Sequence, residues 1–442
     1  MVQLVVDIFG DNMESTKNKK LIYDTHEKPK ATEWIVLAFQ HVFAMFGATV
    51  LVPLLVNKAA GVEVMSVPIA LICSGIGTLI YIAATGGKSP VYLGSSFTFI
   101  SPIASAFIKG GASGVATGLI GVGLVYILFA LLVNIFGKDW ISKLLPPIVV
   151  GPMIMLIGLS LAPNAINQIG LTSTGFSWQG LLVALTSFIV TAIVAIYGKG
   201  FIKVIPFLFG IISGYLLAII LGMVNFAAVS SSSFFALPKI LIPFKDYSFS
   251  LVGLLTILPI ALVSISEHVG DHMALSSIID KDLIKDPGLD RTLLGDGLAT
   301  TFAGLIGGPA NTTYGENTSV VGMSRVASVW VIGLAAIISI ILAFFGKATA
   351  LFMTIPDEVL GGVSLLLYGF ISVNGLKVLI ENKTDFNNIR NVIITSTMLI
   401  LGIGGAIVTI YTKNISVSLT GISLAAIVGI ILNLTLKEPK NN

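Results

Sequence analysis

The chain has 442 residues, of which 55% are apolar and 11% are charged, and its mean hydropathy is +0.97. This composition departs far from that of soluble domains, so the chain is predicted to be an integral membrane protein without a sizeable soluble domain. The formal net charge is only +3, and the basic residues lie in loops and not in one patch, which excludes nucleic acid as an expected partner. The single cysteine, Cys73, excludes an intrachain disulfide.

Both ends of the chain are polar and are predicted to lie outside the membrane. Residues 1–31 carry several lysines, and their apolar run from Val2 to Phe9 is interrupted by Asp7 and lacks a small-residue cleavage motif. We therefore expect a cytoplasmic N-terminal tail, not a signal peptide. Residues 437–442 are expected to form a cytoplasmic C-terminal tail.

Apolar segments follow one another from residue 33 to residue 436. A helical span needs roughly 20 apolar residues, and the sequence divides into fourteen candidate spans, of which the last two cover 391–411 and 416–436. Two spans, around 93–109 and 311–324, are short and rich in Gly, Ser or Thr. With both termini on the inner side, most of the 25 basic residues also fall there, as the positive-inside rule requires.

The two halves of the chain share short motifs in the same order. Gln40-His41-Val42 matches Glu267-His268-Val269, and a proline precedes both Phe97 and Glu316 by seven residues. Seven spans per half is an odd number, so the second copy must be inverted. We therefore predict an all-α polytopic membrane protein with two inverted seven-span repeats, 32–225 and 249–436, joined by an extracytoplasmic linker at 226–248.

The segment 307–325, GGPANTTYGENTSVVGMSR, consists largely of poor helix formers between two apolar spans. Unwound backbone at membrane depth must be buried in protein or line a cavity, and such broken helices mark the binding sites of secondary transporters. Glu316 is therefore the first candidate substrate ligand. Its symmetry mate, the segment 90–102, is predicted to be a short strand followed by a half-helix.

Phe97 lies where this half-helix would begin, so it offers a ring face and a backbone amide. Carboxylates accept N–H hydrogen bonds, backbone amides donate to carbonyl groups, and aromatic rings stack on one another. Such a place would suit a flat heterocycle with alternating N–H and C=O groups.

Three acidic residues lie in span interiors on this division: Glu267, Asp271 and Glu316. Burying a carboxylate in a membrane is costly, and no Lys or Arg lies in a span interior as its partner, so Glu267 and Glu316 are interpreted as functional. Asp271 follows Glu267 by one helical turn on the same face. It is either a solvated residue at a span end or a group in proton passage.

His268 and His272 are also one turn apart, a spacing that can indicate a metal site. Because further ligands are missing, metal binding is not expected, and packing or hydrogen bonding is the preferred interpretation.

The sequence has no nucleotide-binding loop and no catalytic triad motif, so neither an ATPase nor another enzyme is expected. Transport would then depend on an ion gradient.

Four motifs together resemble the nucleobase-ascorbate transporter family, and within it the bacterial uracil permeases. They are QHVFAMFGATVLVP, YLGSSFTFISP, SEHVGDH and NTTYGENTSVVGMSR, and the resemblance covers about residues 30–436. It implies a core domain of spans 1–4 and 8–11 and a gate domain of spans 5–7 and 12–14. It also implies proton-coupled uracil import across the bacterial plasma membrane, with the proton as coupling ion and no other cofactor.

The resemblance also implies roles for individual residues. Glu267 and Glu316 match the two substrate-binding glutamates of the family, and Phe97 and Gly315 match positions whose backbone amides meet the base. Tyr314 matches a residue of the pocket wall.

Related permeases can have, at the position of Asp271, a histidine that helps proton coupling. The resemblance therefore implies proton coupling at Glu267 together with Asp271 or with its neighbour His272.

Three alternatives stay open from the sequence. They are a xanthine or other purine permease, an anion exchanger of the same architecture, and a channel. The resemblance implies uracil rather than a purine, because purine carriers commonly have glutamine at the position of Glu316. Whether the chain forms a homodimer in the lipid membrane also stays open.

Overall fold

The computed structural model describes residues 21–172, 176–242, 245–412, 415–419 and 421–436. Most of the predicted N-terminal tail and all of the predicted C-terminal tail lie outside these residues. The described part of the N-terminal tail is held by backbone hydrogen bonds, from Ile22 N to Arg325 O at 2.8 Å and from Ala327 N to Tyr23 O at 2.9 Å.

The first half of the chain is a series of helices with one short strand. The strand is β1 (Leu93–Ser95), and a 3-10 turn at Phe97–Phe99 leads from it into α3. The helices are α1 (Ala31–Ala60), α2 (Val67–Ala84), α3 (Ile100–Phe136), α4 (Asp139–Leu144), α5 (Pro147–Ile169), α6 (Trp178–Tyr197), α7 (Pro206–Ile220) and α8 (Ala227–Ser231).

The second half repeats this pattern and adds a hairpin. Its strands are β2 (Asn311–Thr313), β3 (Val408–Thr412) and β4 (Ile415–Leu419). Its helices are α9 (Leu251–Ile257), α10 (Ile260–Ile279), α11 (Leu289–Ile306), α12 (Gly315–Ser324), α13 (Val329–Leu342), α14 (Gly346–Met353), α15 (Asp357–Glu381), α16 (Ile389–Ile403) and α17 (Gly421–Thr435).

Local sequence explains several helix ends. Ser66 and Ser177 cap α2 and α6, where each hydroxyl accepts a hydrogen bond from a backbone amide of the first turn. Gly61 and Gly170 end α1 and α5 in the left-handed conformation, at φ 71° and 77°, which glycine adopts without a steric penalty.

Seven of the described helical segments are long and apolar enough to cross a membrane, and α7, α13, α16 and α17 are shorter apolar helices. The fold is therefore that of a multi-pass membrane protein. The helices pack in two groups, of which one contains α1–α3 and α9–α13 and the other contains α5–α7 and α15–α17. This grouping agrees with the expected core and gate domains. The count of fourteen spans and the repeat boundaries stay predictions.

The structure shows where three of the predicted spans are divided. In α3, Gly111 has a non-helical backbone (φ 59°, ψ −156°), which separates the predicted third and fourth spans. The predicted eighth span is divided into α9 and α10 around Pro259, whose ring removes a backbone donor.

The prediction of helix over 391–411 and 416–436 is wrong at the facing ends of these spans. Residues 408–412 and 415–419 form an antiparallel hairpin, with Val408 opposite Leu419. The segments are rich in Ile, Val, Thr and Tyr, which favour strands, and their apolar character was interpreted as helical.

β1 and β2 pair with each other in an antiparallel sheet, in which Gly94 is opposite Thr312. The Tyr314 ring packs on Gly94, where an added Cβ would be 2.3 Å from the ring. The Tyr314 hydroxyl donates to Ser95 O at 2.9 Å and lies 3.2 Å from Thr49 Oγ1. This hydroxyl therefore ties the two strands to α1.

We predict that Tyr314→Phe lowers the free energy of unfolding by about 1–3 kcal/mol, because it leaves a buried carbonyl oxygen without its donor. The variant should melt at a lower temperature in detergent. Tyr197→Phe is the matched control, because the Tyr197 side chain is 74% exposed and should have little effect. Equal melting temperatures for Tyr314→Phe and the control would contradict this role of the hydroxyl.

Candidate functional site

The two strands direct two helix N-termini toward the same region. β1 leads through the turn at Phe97–Phe99 into α3, and β2 leads through Tyr314 into α12. Additional hydrogen bonds, from Ser96 N to Ala310 O at 2.9 Å and from Tyr314 N to Tyr92 O at 3.1 Å, extend the pairing on both sides. Because the first amides of a helix have no partner inside it, each N-terminus offers donors to a ligand.

Glu267 lies on α10 opposite the first of these N-termini. Thr98 Oγ1 donates a hydrogen bond to Glu267 Oε2 at 3.1 Å, and the Glu267 side chain is half-buried. The structure therefore joins the carboxylate to the residue directly after Phe97. Thr98 was not identified from the sequence, because a threonine in an apolar span carries no distinctive signal.

Asp271 lies one turn further along α10 and contacts the second broken segment. The Thr313 hydroxyl donates to its carboxylate, and the Asp271 side chain is half-buried. Glu267 and Asp271 thus lie on one face of α10, and each is bonded to one of the two broken segments.

The second broken segment brings Gly315 and Glu316 to the start of α12. Glu316 is half-buried, whereas Gly315 is exposed and an added Cβ there would meet no atom within 4 Å. Asn317 is buried, and its Nδ2 donates to His41 O at 3.1 Å, which fixes α12 to α1. Since α10 packs against α12, Glu316 lies at the start of a helix that neighbours the one carrying Glu267.

His272 lies on a different face of α10 from the carboxylates. Its Nδ1 is 2.7 Å from His268 O, and its Nε2 is 2.5 Å from the Tyr81 hydroxyl. Both ring nitrogens therefore have partners in the protein interior. Of the two residues considered for proton coupling beside Glu267, only Asp271 contacts the broken segments.

The structure also contains a buried carboxylate that the sequence reasoning missed. Asp296 is fully buried in α11 and lies 2.8 Å from His268 Nδ1. The predicted ninth span covered residues 293–307, so Asp296 fell in its first turn and was not counted among the carboxylates of span interiors. In the structure α11 begins at Leu289, which places Asp296 about two turns inside the helix.

An open cavity of about 550 Å³ adjoins the C-terminal half of α10. Val269, Met273 and Ser276 of α10 line it, together with Ile141 of α4 and the loop that follows α10. Met273 is 59% exposed, and Met323 on the C-terminal half of α12 is 43% exposed. The C-terminal halves of both helices are thus accessible beyond the carboxylates.

Comparisons with known proteins agree over nearly the whole chain. A sequence profile described as "Permease family" matches residues 32–411. The chain is 47% identical to the "Uracil permease" of Bacillus subtilis (strain 168), over 96% of this chain and 97% of that protein. It is 42% identical to the "Uracil permease" of Escherichia coli (strain K12), over 93% of each chain.

Solved structures share the fold at low sequence identity. The transmembrane domain of the cyanobacterial bicarbonate transporter BicA matches 93% of this chain and 100% of its own, with a TM-score of 0.59 and 16% identity. The structure of SLC26A9 matches 92% of this chain and 66% of its own, with a TM-score of 0.63 and 13% identity. These similarities support the predicted architecture of two inverted seven-span repeats.

The curated relatives are named permeases, which confirms the expectation of a transport protein and not an enzyme. The profile covers most of the chain, and the identities to the permeases are far above those to the structural neighbours. The chain therefore belongs to this permease family, as the motifs of its first, third, eighth and tenth predicted spans indicated.

Proposed function

We propose that the protein imports uracil by proton symport and binds it between the two broken segments and α10. The names of the relatives support uracil as substrate. The observation that carries the proposal is that Glu267 and Asp271 are bonded to both broken segments while Glu316 begins α12 beside them. Carboxylates and helix N-termini thus converge on one region.

This set of groups fits the chemistry of a pyrimidine with two N–H and two C=O groups. Glu316 and Glu267 supply hydrogen-bonding oxygens, and the first-turn amides at Phe97 and Gly315 supply donors for carbonyl oxygens. The half-buried Phe97 ring supplies a stacking face, and Tyr314 supports the site from behind the strands.

We assign proton coupling to Glu267, with Asp271 as the second candidate. Both side chains lie on the face of α10 that contacts the broken segments, whereas His272 uses both ring nitrogens in the interior. A protonated Glu267 can donate to a substrate carbonyl and release its proton on the cytoplasmic side. We place both termini on the cytoplasmic side, because most basic residues then lie on that side of the membrane. The membrane we propose is the bacterial plasma membrane.

Anion exchange is disfavoured for this chain, although the structural neighbours include anion transporters. Their identities of 12–16% support a common fold and no common substrate. The α12 N-terminus, which would attract an anion, carries the Glu316 carboxylate in its first turn. A bound anion would be repelled by that charge.

We predict that Glu316→Gln weakens uracil binding by about 1.5–3 kcal/mol, which corresponds to roughly 10- to 150-fold in Kd. The substitution replaces one carboxylate acceptor oxygen with an amide donor that faces a substrate N–H. Calorimetry on the purified protein measures the Kd. Glu63→Gln, in an exposed loop, is the control with the same chemical change. A folded Glu316→Gln protein that binds uracil as tightly as the control would exclude Glu316 as a ligand.

For Glu267→Gln we predict measurable uracil binding or equilibrium exchange but no accumulation against a gradient. Glutamine keeps a hydrogen-bond donor and cannot titrate. Proteoliposomes with an imposed proton gradient separate the two activities. If this variant still accumulates uracil and a protonophore abolishes the accumulation, coupling lies elsewhere and Asp271 is the next residue to test.

A further inference from the structure

The helix α10 carries polar side chains on two faces, which lie about 100° apart around its axis. Glu267 and Asp271 face the broken segments, and His268 and His272 face the interior, where both imidazoles are fully buried. The two rings lie 4.1 Å apart between centroids. The interior face has no part in substrate or proton contacts in the function proposed above, so its polar groups need another explanation.

His268 is bonded to a neighbouring helix through a buried hydrogen bond. Its Nδ1 lies 2.8 Å from Asp296 Oδ2 of α11, and neither side chain is exposed. The Tyr126 ring meets the imidazole edge-on at 6.1 Å between centroids. α11 is itself packed against α2 and α3. The pair therefore connects α10 to a helix that is held from two further sides.

His272 forms a second connection one turn away. Its Nδ1 faces the carbonyl oxygen of His268, which only accepts, so Nδ1 carries the hydrogen. In the neutral ring Nε2 is then an acceptor, and the Tyr81 hydroxyl donates a hydrogen bond to it at 2.5 Å. The Tyr81 hydroxyl also lies within hydrogen-bond distance of Ser89 Oγ, at 2.9 Å. Both imidazoles are thus held in defined orientations.

We propose that Asp296 is a positioning residue, which through His268 holds α10 in the rotation that presents Glu267 to the substrate. Consecutive residues of an α-helix are about 100° apart around its axis, so Glu267 and His268 must rotate together. A rotation that breaks the His268 to Asp296 bond also turns Glu267 away from Thr98 and the broken segments. This inference rests on the proposed function for its substrate.

The first test compares two substitutions at position 296. Asp296→Asn keeps an oxygen that accepts from His268 Nδ1, whereas Asp296→Ala removes it. We expect the alanine variant to bind uracil at least about tenfold more weakly and the asparagine variant to stay within about threefold of wild type. Ser264→Ala is the matched control, because it removes the 2.7 Å hydrogen bond to Tyr126 from the same face of α10. It should leave the Kd within about twofold.

A second readout needs no uracil. Met273→Cys places a thiol on α10 in the open cavity, whereas Cys73 is fully buried and should not react with a polar maleimide. We expect Asp296→Ala to change the labelling rate at position 273 by at least about threefold, and Asp296→Asn to leave it unchanged. If wild type binds no uracil, the proposed function fails while this comparison still tests the positioning.

Three results would overturn the positioning role in folded, monodisperse protein. The first is an Asp296→Ala variant with wild-type uracil affinity or wild-type labelling. The second is an Asp296→Asn variant as impaired as Asp296→Ala, which would show that an accepting oxygen at position 296 is not enough and that the carboxylate charge is needed. The third is a Ser264→Ala variant as impaired as Asp296→Ala, which would indicate a general loss of packing.

Discussion

Backbone groups at membrane depth find no water to pair with, and this constraint accounts for the arrangement of the centre of the molecule. The chain interrupts two of its helices there, and each interruption exposes donors and acceptors that need partners. The backbone groups of β1 and β2 form hydrogen bonds with one another, and the Tyr314 hydroxyl donates a further hydrogen bond to Ser95 O. Because the strands pair antiparallel, the two helices that follow begin at opposite ends of this short sheet, and a polar site can exist within an apolar protein.

α10 completes this site because its two faces serve different purposes. One face carries Glu267 and Asp271, whose carboxylates are bonded to hydroxyls of the two broken segments. A second face, about 100° away around the axis, carries His268 and His272, which fix the helix to Asp296 and Tyr81. A residue spacing of four places each pair on one stripe, so neighbouring residues in the sequence belong to different environments.

Much of this arrangement could be predicted from the sequence, because intramembrane carboxylates and runs of poor helix formers are rare in apolar spans. Glu267, Glu316 and the two interruptions were identified on that basis. The direction of His272 was not, because its spacing from His268 shows only that both lie on one stripe. Asp296 was missed because the start of its helix was placed four residues too late. The hairpin of β3 and β4 was missed because apolar β-branched residues also suit a membrane helix.

The measurement that tests the account most directly is uptake of labelled uracil by proteoliposomes of the full chain under an imposed proton gradient, with unlabelled nucleobases and anions as competitors. The account predicts that uracil accumulates only with the gradient and that xanthine, sulfate and bicarbonate compete weakly. Accumulation of xanthine in preference to uracil, or exchange of sulfate or bicarbonate without uracil uptake, would contradict it.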